Sequence, residues 1–234
     1  MNIGAYTFSE FKELAKSFHG YPAPGLLIGG YMVEAAKARL PEGTLFEAVV
    51  ETGKCLPDAV QLLTLCSTGN NWMKVIHLGR YALTLYDKYT YEGWRVSVDL
   101  EKLEAYPEVR DWFLKRKTKQ QQDTDTLFAQ IEAAGDKCLS IAPVMVRAHH
   151  TKKKEMGDIA VCPSCKEAYP KKDGAICRGC QGEAPYRHAA PQVRPDTFGP
   201  HIEAIPVEQA VGKQALHDMT RIVAGESEGP AFKA

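Results

Sequence analysis

The chain lacks a long hydrophobic run, an excess of charge of either sign and a recognisable export signal. No apolar stretch approaches the roughly 20 residues that span a bilayer, and residues 1–6 lack the features of a secretory signal. Lys plus Arg and Asp plus Glu both total 29, so composition favours neither nucleic acid nor an anionic membrane as a partner. We therefore expect a cytoplasmic protein that is not associated with a membrane.

Sequence patterns of the common catalytic sites are also missing. We find no Ser-His-Asp order, no phosphate-binding glycine loop and no paired carboxylate motif. Cys138 has no sequence neighbour that would indicate a reactive thiol. The residues alone therefore identify neither a reaction nor a substrate.

Periodicity and turn signals predict a mixed α+β core. Thr7 and Glu10 have the spacing of a capping box, ahead of a helix that should end near His19. Further helices are predicted over residues 25–40, 57–64, 109–117 and 127–134, and strands over residues 44–51, 80–86, 94–98 and 139–147. We predict a core over residues 1–155, a four-cysteine module over 156–186, and an extended tail over 187–234. This tail consists of a proline-rich tether and an amphipathic helix at 207–221.

The strongest chemical signal is a pair of Cys-x-x-Cys motifs. Cys162 and Cys165 form the first, Cys177 and Cys180 the second, and the 11 residues between them suffice for a hairpin that brings the pairs together. Four thiolates at this spacing are typical of a structural Zn²⁺ site, which leaves no open coordination position. A redox dithiol, an iron site and unliganded cysteines are the weaker alternatives.

The cationic residues around this module do not favour nucleic acid. Residues 147–187 contain nine Lys or Arg and five Asp or Glu, a formal excess of four. Four thiolates on one Zn²⁺ add two negative charges and reduce this excess to two. We therefore expect protein contact, and nucleic-acid binding remains the weaker alternative.

Three residues of the N-terminal half could hold a second metal. His19 lies at a predicted helix end, Cys55 precedes a predicted helix and Cys66 follows it. Three protein ligands and a water would form an open, catalytic or sensing site. Each residue also has a structural explanation, since buried cysteines and helix-terminal histidines are common.

The same region could instead bind a small ligand. Asp58, near a helix start, could orient a hydroxyl or a ring nitrogen, and Thr68 and Asn70 lie in a turn that offers donors to an anion. Such a turn is also ordinary loop chemistry.

At several separated points the chain resembles the FmdE-like family of formylmethanofuran dehydrogenase subunits. The family's His-Gly-His-x-Cys-Pro-Gly motif is similar to residues 19–25, although Tyr21 and Ala23 replace its second His and its Cys. The family's Glu-x-x-x-Cys-x-x-Asp region resembles residues 51–58, and its Cys-Thr-x-Gly-Asn motif resembles residues 66–70. Some members carry a zinc ribbon behind this core.

The resemblance implies an α+β core, a homodimer, and a metal or small-ligand site near the His and Cys residues. It further implies association with molybdenum or tungsten enzyme subunits. The C-terminal segment, with His217 and Asp218 followed by Gly-Pro-Ala-Phe-Lys, looks like a segment of molybdopterin-handling proteins. His217 and Asp218 are therefore further ligand-binding candidates, and molybdopterin is a candidate cofactor.

Three hypotheses follow. The first is an FmdE-like zinc-binding accessory protein of a molybdenum or tungsten enzyme, of the formylmethanofuran or formate dehydrogenase type, acting by protein contact or cofactor handling. The second is a metal-dependent enzyme, or a metal or small-ligand sensor, that uses His19, Cys55 and Cys66. The third is a zinc-ribbon regulator that binds nucleic acid.

Overall fold

A computed structural model of the chain describes residues 2–151 and 155–186. These residues belong to two separate units, the core within residues 2–151 and the four-cysteine module of residues 155–186. The predicted helix at 207–221, with His217 and Asp218, lies outside the described residues. Among the described helices, none has the length and apolar character needed to cross a bilayer.

The core contains helices and a five-stranded mixed sheet, which confirms the predicted α+β class. The helices are α1 (Phe8–His19), α2 (Pro24–Lys37), α3 (Leu56–Leu63), α4 (Pro107–Phe113) and α5 (Thr124–Ala134). The strands are β1 (Phe46–Val50), β2 (Met73–Val75), β3 (Ala82–Asp87), β4 (Glu92–Val98) and β5 (Leu139–Met145). Short 3₁₀ turns cover Lys102–Ala105, Lys119–Gln121 and Ala148–His150.

The strands lie in the order β2-β1-β3-β4-β5, and only the β1–β2 pair is parallel. The register aligns Val50, Leu83, Val96 and Ile141 across four strands. Because side chains alternate between the faces of a sheet, this row lies on one face. It joins the buried residues of the helices in one hydrophobic core.

Helix α1 forms as its sequence predicts. The Thr7 side chain accepts a hydrogen bond from the Glu10 N–H, and the Glu10 carboxylate accepts one from the Thr7 N–H, which completes the capping box. Gly20, at φ 89°, ends the helix in the left-handed conformation that glycine adopts without strain. His19 is therefore the last helical residue.

Helix α2 is apolar on nearly all sides because it lies at the centre of the core. It packs against α1, α3, α5 and three strands of the sheet. A Cβ on Gly30 would lie 2.6 Å from the Phe11 ring and 2.8 Å from Ile3, and one on Gly29 would lie 2.8 Å from Ala59. Glycine at these two positions allows α1 and α3 to approach α2 closely.

The module differs from the predicted arrangement. Its strands β6 (Ile159–Val161) and β7 (Ala168–Pro170) flank the first Cys-x-x-Cys motif, whereas a hairpin between the two motifs was expected. The linking segment contains instead a 3₁₀ turn, Lys171–Asp173, and the second motif leads into a helical turn, Gly179–Glu183. The prediction was wrong because the first motif is itself the hairpin loop.

Candidate functional site

The hairpin loop of β6 and β7 holds the first cysteine pair. Cys162 follows β6 directly, and its N–H donates to the Glu167 carbonyl while its own carbonyl accepts from the Lys166 N–H. Lys166 takes a φ of 67°, a left-handed conformation that closes the loop tightly. This turn directs both sulfurs to the same side.

The second pair completes a convergent set of four sulfurs. The Sγ atoms of Cys162, Cys165, Cys177 and Cys180 all lie within 4.8 Å of one another, and those of Cys165 and Cys177 are 3.6 Å apart. Tetrahedral Zn²⁺ with Zn–S bonds of about 2.3 Å requires sulfurs about 3.8 Å apart. The cluster therefore fits Zn²⁺ with protein ligands at all four positions.

The electrostatics of the cluster also indicate a cation. Backbone N–H groups of Cys165 and Cys177 lower the pKa of the Cys162 thiol to about 6. A bond from the Glu167 N–H opposes the effect at Cys165, but desolvation and the neighbouring thiols raise the pKa of that residue to about 12. Four crowded sulfurs cannot all ionise alone, and a bound divalent cation removes this conflict.

A second polar arrangement lies where α1 ends. The His19 Nδ1–H donates to the Asp58 carboxylate over 2.6 Å, and Asp58 belongs to the first turn of α3. The two side chains are 19% and 29% exposed, and the Tyr21 ring lies beside the imidazole. A carboxylate at Nδ1 fixes the imidazole orientation and leaves Nε2 for a ligand, as at many metal and acid–base sites.

Cys55 lies between the starts of two helices. It occupies a strained γ-turn at φ 53°, closed by a 2.5 Å bond from the Leu56 N–H to the Lys54 carbonyl, and it precedes α3. Its sulfur accepts a hydrogen bond from the Leu26 N–H in the first turn of α2. Burial, and then the Asp58 carboxylate, raise the pKa of this thiol, so the neutral form is favoured.

Sequence reasoning missed Tyr81. Its hydroxyl donates to the Gly25 carbonyl over 2.5 Å, and a Cβ on Gly25 would lie 2.8 Å from this oxygen and 3.3 Å from the Cys55 sulfur. Gly25 and Tyr81 are 56 residues apart, so no local pattern links them. Glycine at position 25 was the available signal, because it marks a close approach of other atoms.

Other predicted site residues are used within the fold. Cys66 is 1% exposed in the hydrophobic core, its thiol donates to the Phe46 carbonyl, and burial raises its pKa to about 12. The Asn70 amide accepts from the Ser67 and Trp72 N–H groups and donates to a carbonyl in the same loop. Thr68 is exposed, and its carbonyl accepts from the next turn of this loop.

The structure brings His19 to Asp58 but assembles no second metal cluster around it. Within residues 2–151 and 155–186, the four cysteines are the only group of three or more His, Cys, Asp or Glu side chains with converging ligand atoms. A second metal at His19, Cys55 and Cys66 therefore stays a prediction without a convergent ligand set.

Comparison with known proteins supports the same division of the chain. A family model described as "FmdE, Molybdenum formylmethanofuran dehydrogenase operon" matches residues 18–146, and one described as "FmdE treble clef zinc finger" matches residues 153–187. A third, a domain of unknown function, matches residues 204–234. The zinc module is thus confirmed, and its class is a treble clef where a ribbon was expected.

Two relatives extend the comparison. The crystal structure of an FmdE-like protein of tungsten formylmethanofuran dehydrogenase from Syntrophus aciditrophicus is 48% identical, with a TM-score of 0.74, over 80% of this chain and 98% of that one. A probable S-adenosyl-L-methionine-binding protein from Archaeoglobus fulgidus is 30% identical over 72% of this chain. The chain spans about half, 51%, of that curated relative.

The first family model covers more than half of the chain, and the motifs at residues 19–25, 51–58 and 66–70 all fall within it. The chain therefore belongs to the FmdE family and carries the family's C-terminal treble clef zinc finger.

Proposed function

We propose that this protein is an accessory protein of a molybdenum or tungsten enzyme of the formylmethanofuran or formate dehydrogenase type, and that it acts by protein contact. The closed four-sulfur centre carries this proposal. Protein fills every coordination position of the centre, so the metal stabilises the module and has no position for a substrate. The family's link to formylmethanofuran dehydrogenase operons indicates the class of partner.

The charge of the module favours protein over nucleic acid as that partner. Residues 155–186 contain four Lys or Arg and five Asp or Glu, and four thiolates on Zn²⁺ add two negative charges, which gives a net charge of −3. A surface of this sign repels a phosphate backbone. A gel-shift titration at low salt should therefore show no binding, and strong salt-dependent binding would favour the nucleic-acid alternative.

The test of the accessory role is a binding measurement with purified components. Zinc-loaded protein and a purified molybdenum or tungsten formylmethanofuran dehydrogenase are mixed and analysed by size-exclusion chromatography with light scattering. We expect a complex with the wild type and a weaker one with Cys162→Ser/Cys177→Ser, which unfolds the module. If the wild type does not co-elute with the enzyme, the proposal fails.

Cofactor handling and a homodimer are further parts of this proposal, and both are supported by the family resemblance alone. Sedimentation equilibrium of the full chain should give twice the monomer mass. Titration with molybdopterin, followed by its absorbance, tests cofactor handling. A monomeric mass or an unchanged spectrum removes the corresponding part.

A second candidate function is supported by the 2.6 Å contact of His19 with Asp58 beside Cys55. This arrangement could bind a small ligand, or a metal, in a sensing or catalytic role. The curated relative's description supplies S-adenosyl-L-methionine as a probe. Calorimetric titration should then show binding that Asp58→Asn weakens, and no heat with the wild type removes this probe as the ligand.

A further inference from the structure

The two edges of the module's hairpin differ in their chemistry. The Cys162 N–H donates to the Glu167 carbonyl, and the Lys171 N–H donates to the Asp158 carbonyl. Hydrogen-bonded pairs alternate along an antiparallel ladder, so even-numbered residues of β6 face β7. The backbone N–H and C=O groups of Ile159 and Val161 therefore face away from β7, along the free edge of β6.

The free edge of β7 is blocked and that of β6 is open. Pro170, opposite Ile159 in the register, has no N–H and stands at an outward-facing position of β7. The three residues of β6 include no proline and no charge. Natural proteins usually protect such edges with lysine, proline or a bulge, because an open edge accepts another strand.

The side chains of β6 are also suited to an added strand. Ile159 and Val161 lie on the same face and are 53% and 66% exposed, whereas Tyr169 and Cys162 on the opposite face are buried. Cross-strand pairs of β-branched side chains stabilise neighbouring strands. The edge thus offers both backbone groups and an apolar contact face.

We propose that the edge of β6 binds an extended segment of the partner polypeptide by β-strand addition, which rests on the accessory role proposed above. The partner segment would alternate, with aliphatic side chains facing Ile159 and Val161. On its other face it would carry a Lys or Arg near Asp158. Asp158 precedes β6 and has no ion pair among the described residues.

Two variants test the edge without disturbing the ladder. Val161→Pro removes an outward-facing N–H that β7 does not use, and Ile159→Lys adds the charge that natural edges carry. Ala168→Lys is the matched control, because Ala168 is exposed and faces outward on the blocked edge of β7. Bound zinc is measured for each full-length variant to verify that the module is folded.

Binding of each zinc-loaded variant to purified formylmethanofuran dehydrogenase is then compared. We expect Val161→Pro and Ile159→Lys to weaken binding at least about tenfold and Ala168→Lys to leave it unchanged. Wild-type affinity in both edge variants would overturn the edge proposal and leave the accessory role intact. No binding by the wild type would overturn both.

Hydrogen exchange of the protein alone identifies a competing occupant. If the amides of Ile159 and Val161 become protected as protein concentration rises, β6 pairs with a second copy and the proposed occupant is wrong. Exchange that is independent of concentration, together with protection in the presence of the enzyme, supports a partner strand.

Discussion

Removal of zinc should unfold the four-cysteine module and leave the core intact. The perturbation is a strong chelator at neutral pH under reducing conditions, applied to the full chain. The main hydrophobic cluster lies wholly within the core and includes no residue of the module. The two units should therefore respond independently.

The magnitude follows from how little the module buries. Cys162 and Tyr169 are the only buried hydrophobic residues among residues 155–186. Burial of Tyr169 contributes about 2–3 kcal/mol, and its hydrogen bond to the Gly174 carbonyl about 1 kcal/mol. Zinc binding contributes about 10–16 kcal/mol in comparable peptides. The metal thus supplies most of the stability, and without it chain entropy exceeds what remains.

Two probes separate the units. Trp72, Trp94 and Trp112 all lie in the core, so tryptophan fluorescence reports on the core alone. Hydrogen exchange of the β6 and β7 amides reports on the module. We expect chelation to abolish protection of these amides while fluorescence and the thermal unfolding of the core stay unchanged. Protected amides after complete zinc loss, or a core that unfolds with the module, would refute the reasoning.

Two predictions concern the core. Gly30→Ala should destabilise it by about 1–3 kcal/mol, because the new Cβ would lie 2.6 Å from Phe11, whereas Gly69→Ala has 3.9 Å of space and should be neutral in urea unfolding. Equal effects would contradict the packing. Glu51→Gln should cost about 2–3 kcal/mol, since this buried carboxylate accepts two bonds from Arg95. Despite burial, Arg95 lowers the pKa of Glu51 below its ordinary 4.5. Its contribution is therefore present above that value and lost as pH falls through the folded pKa, and the variant should show a shallower acid dependence. An unchanged dependence would contradict this role.

Local signals predicted the features that local chemistry determines. The capping box at Thr7 and Glu10 gave the start of α1, and Gly20 follows its predicted end. The cysteine spacing gave the four ligands of the centre because metal chemistry restricts that pattern strongly. These features depend on residues that are close in sequence or chemically distinctive.

Long-range pairing accounts for what the sequence did not predict. Strand β2 has three residues and gains its place only by parallel pairing with β1, so it was missed. Tyr81 reaches Gly25 across the fold, and Asp58 reaches His19, although only the separate candidates were visible in the sequence. Cys66 resembles a ligand in its motif but faces the core, which depends on how α3 packs.

The most direct test of the central claim, a single closed zinc centre that supports contact, is metal content per chain. Mass spectrometry of metal in the purified full-length protein should give one zinc per chain. The count should fall to zero in Cys162→Ser/Cys177→Ser and remain one in Cys55→Ser/Cys66→Ser. Two metals per chain, one of them lost in the Cys55→Ser/Cys66→Ser variant, would contradict the account and favour a second, chemically active site.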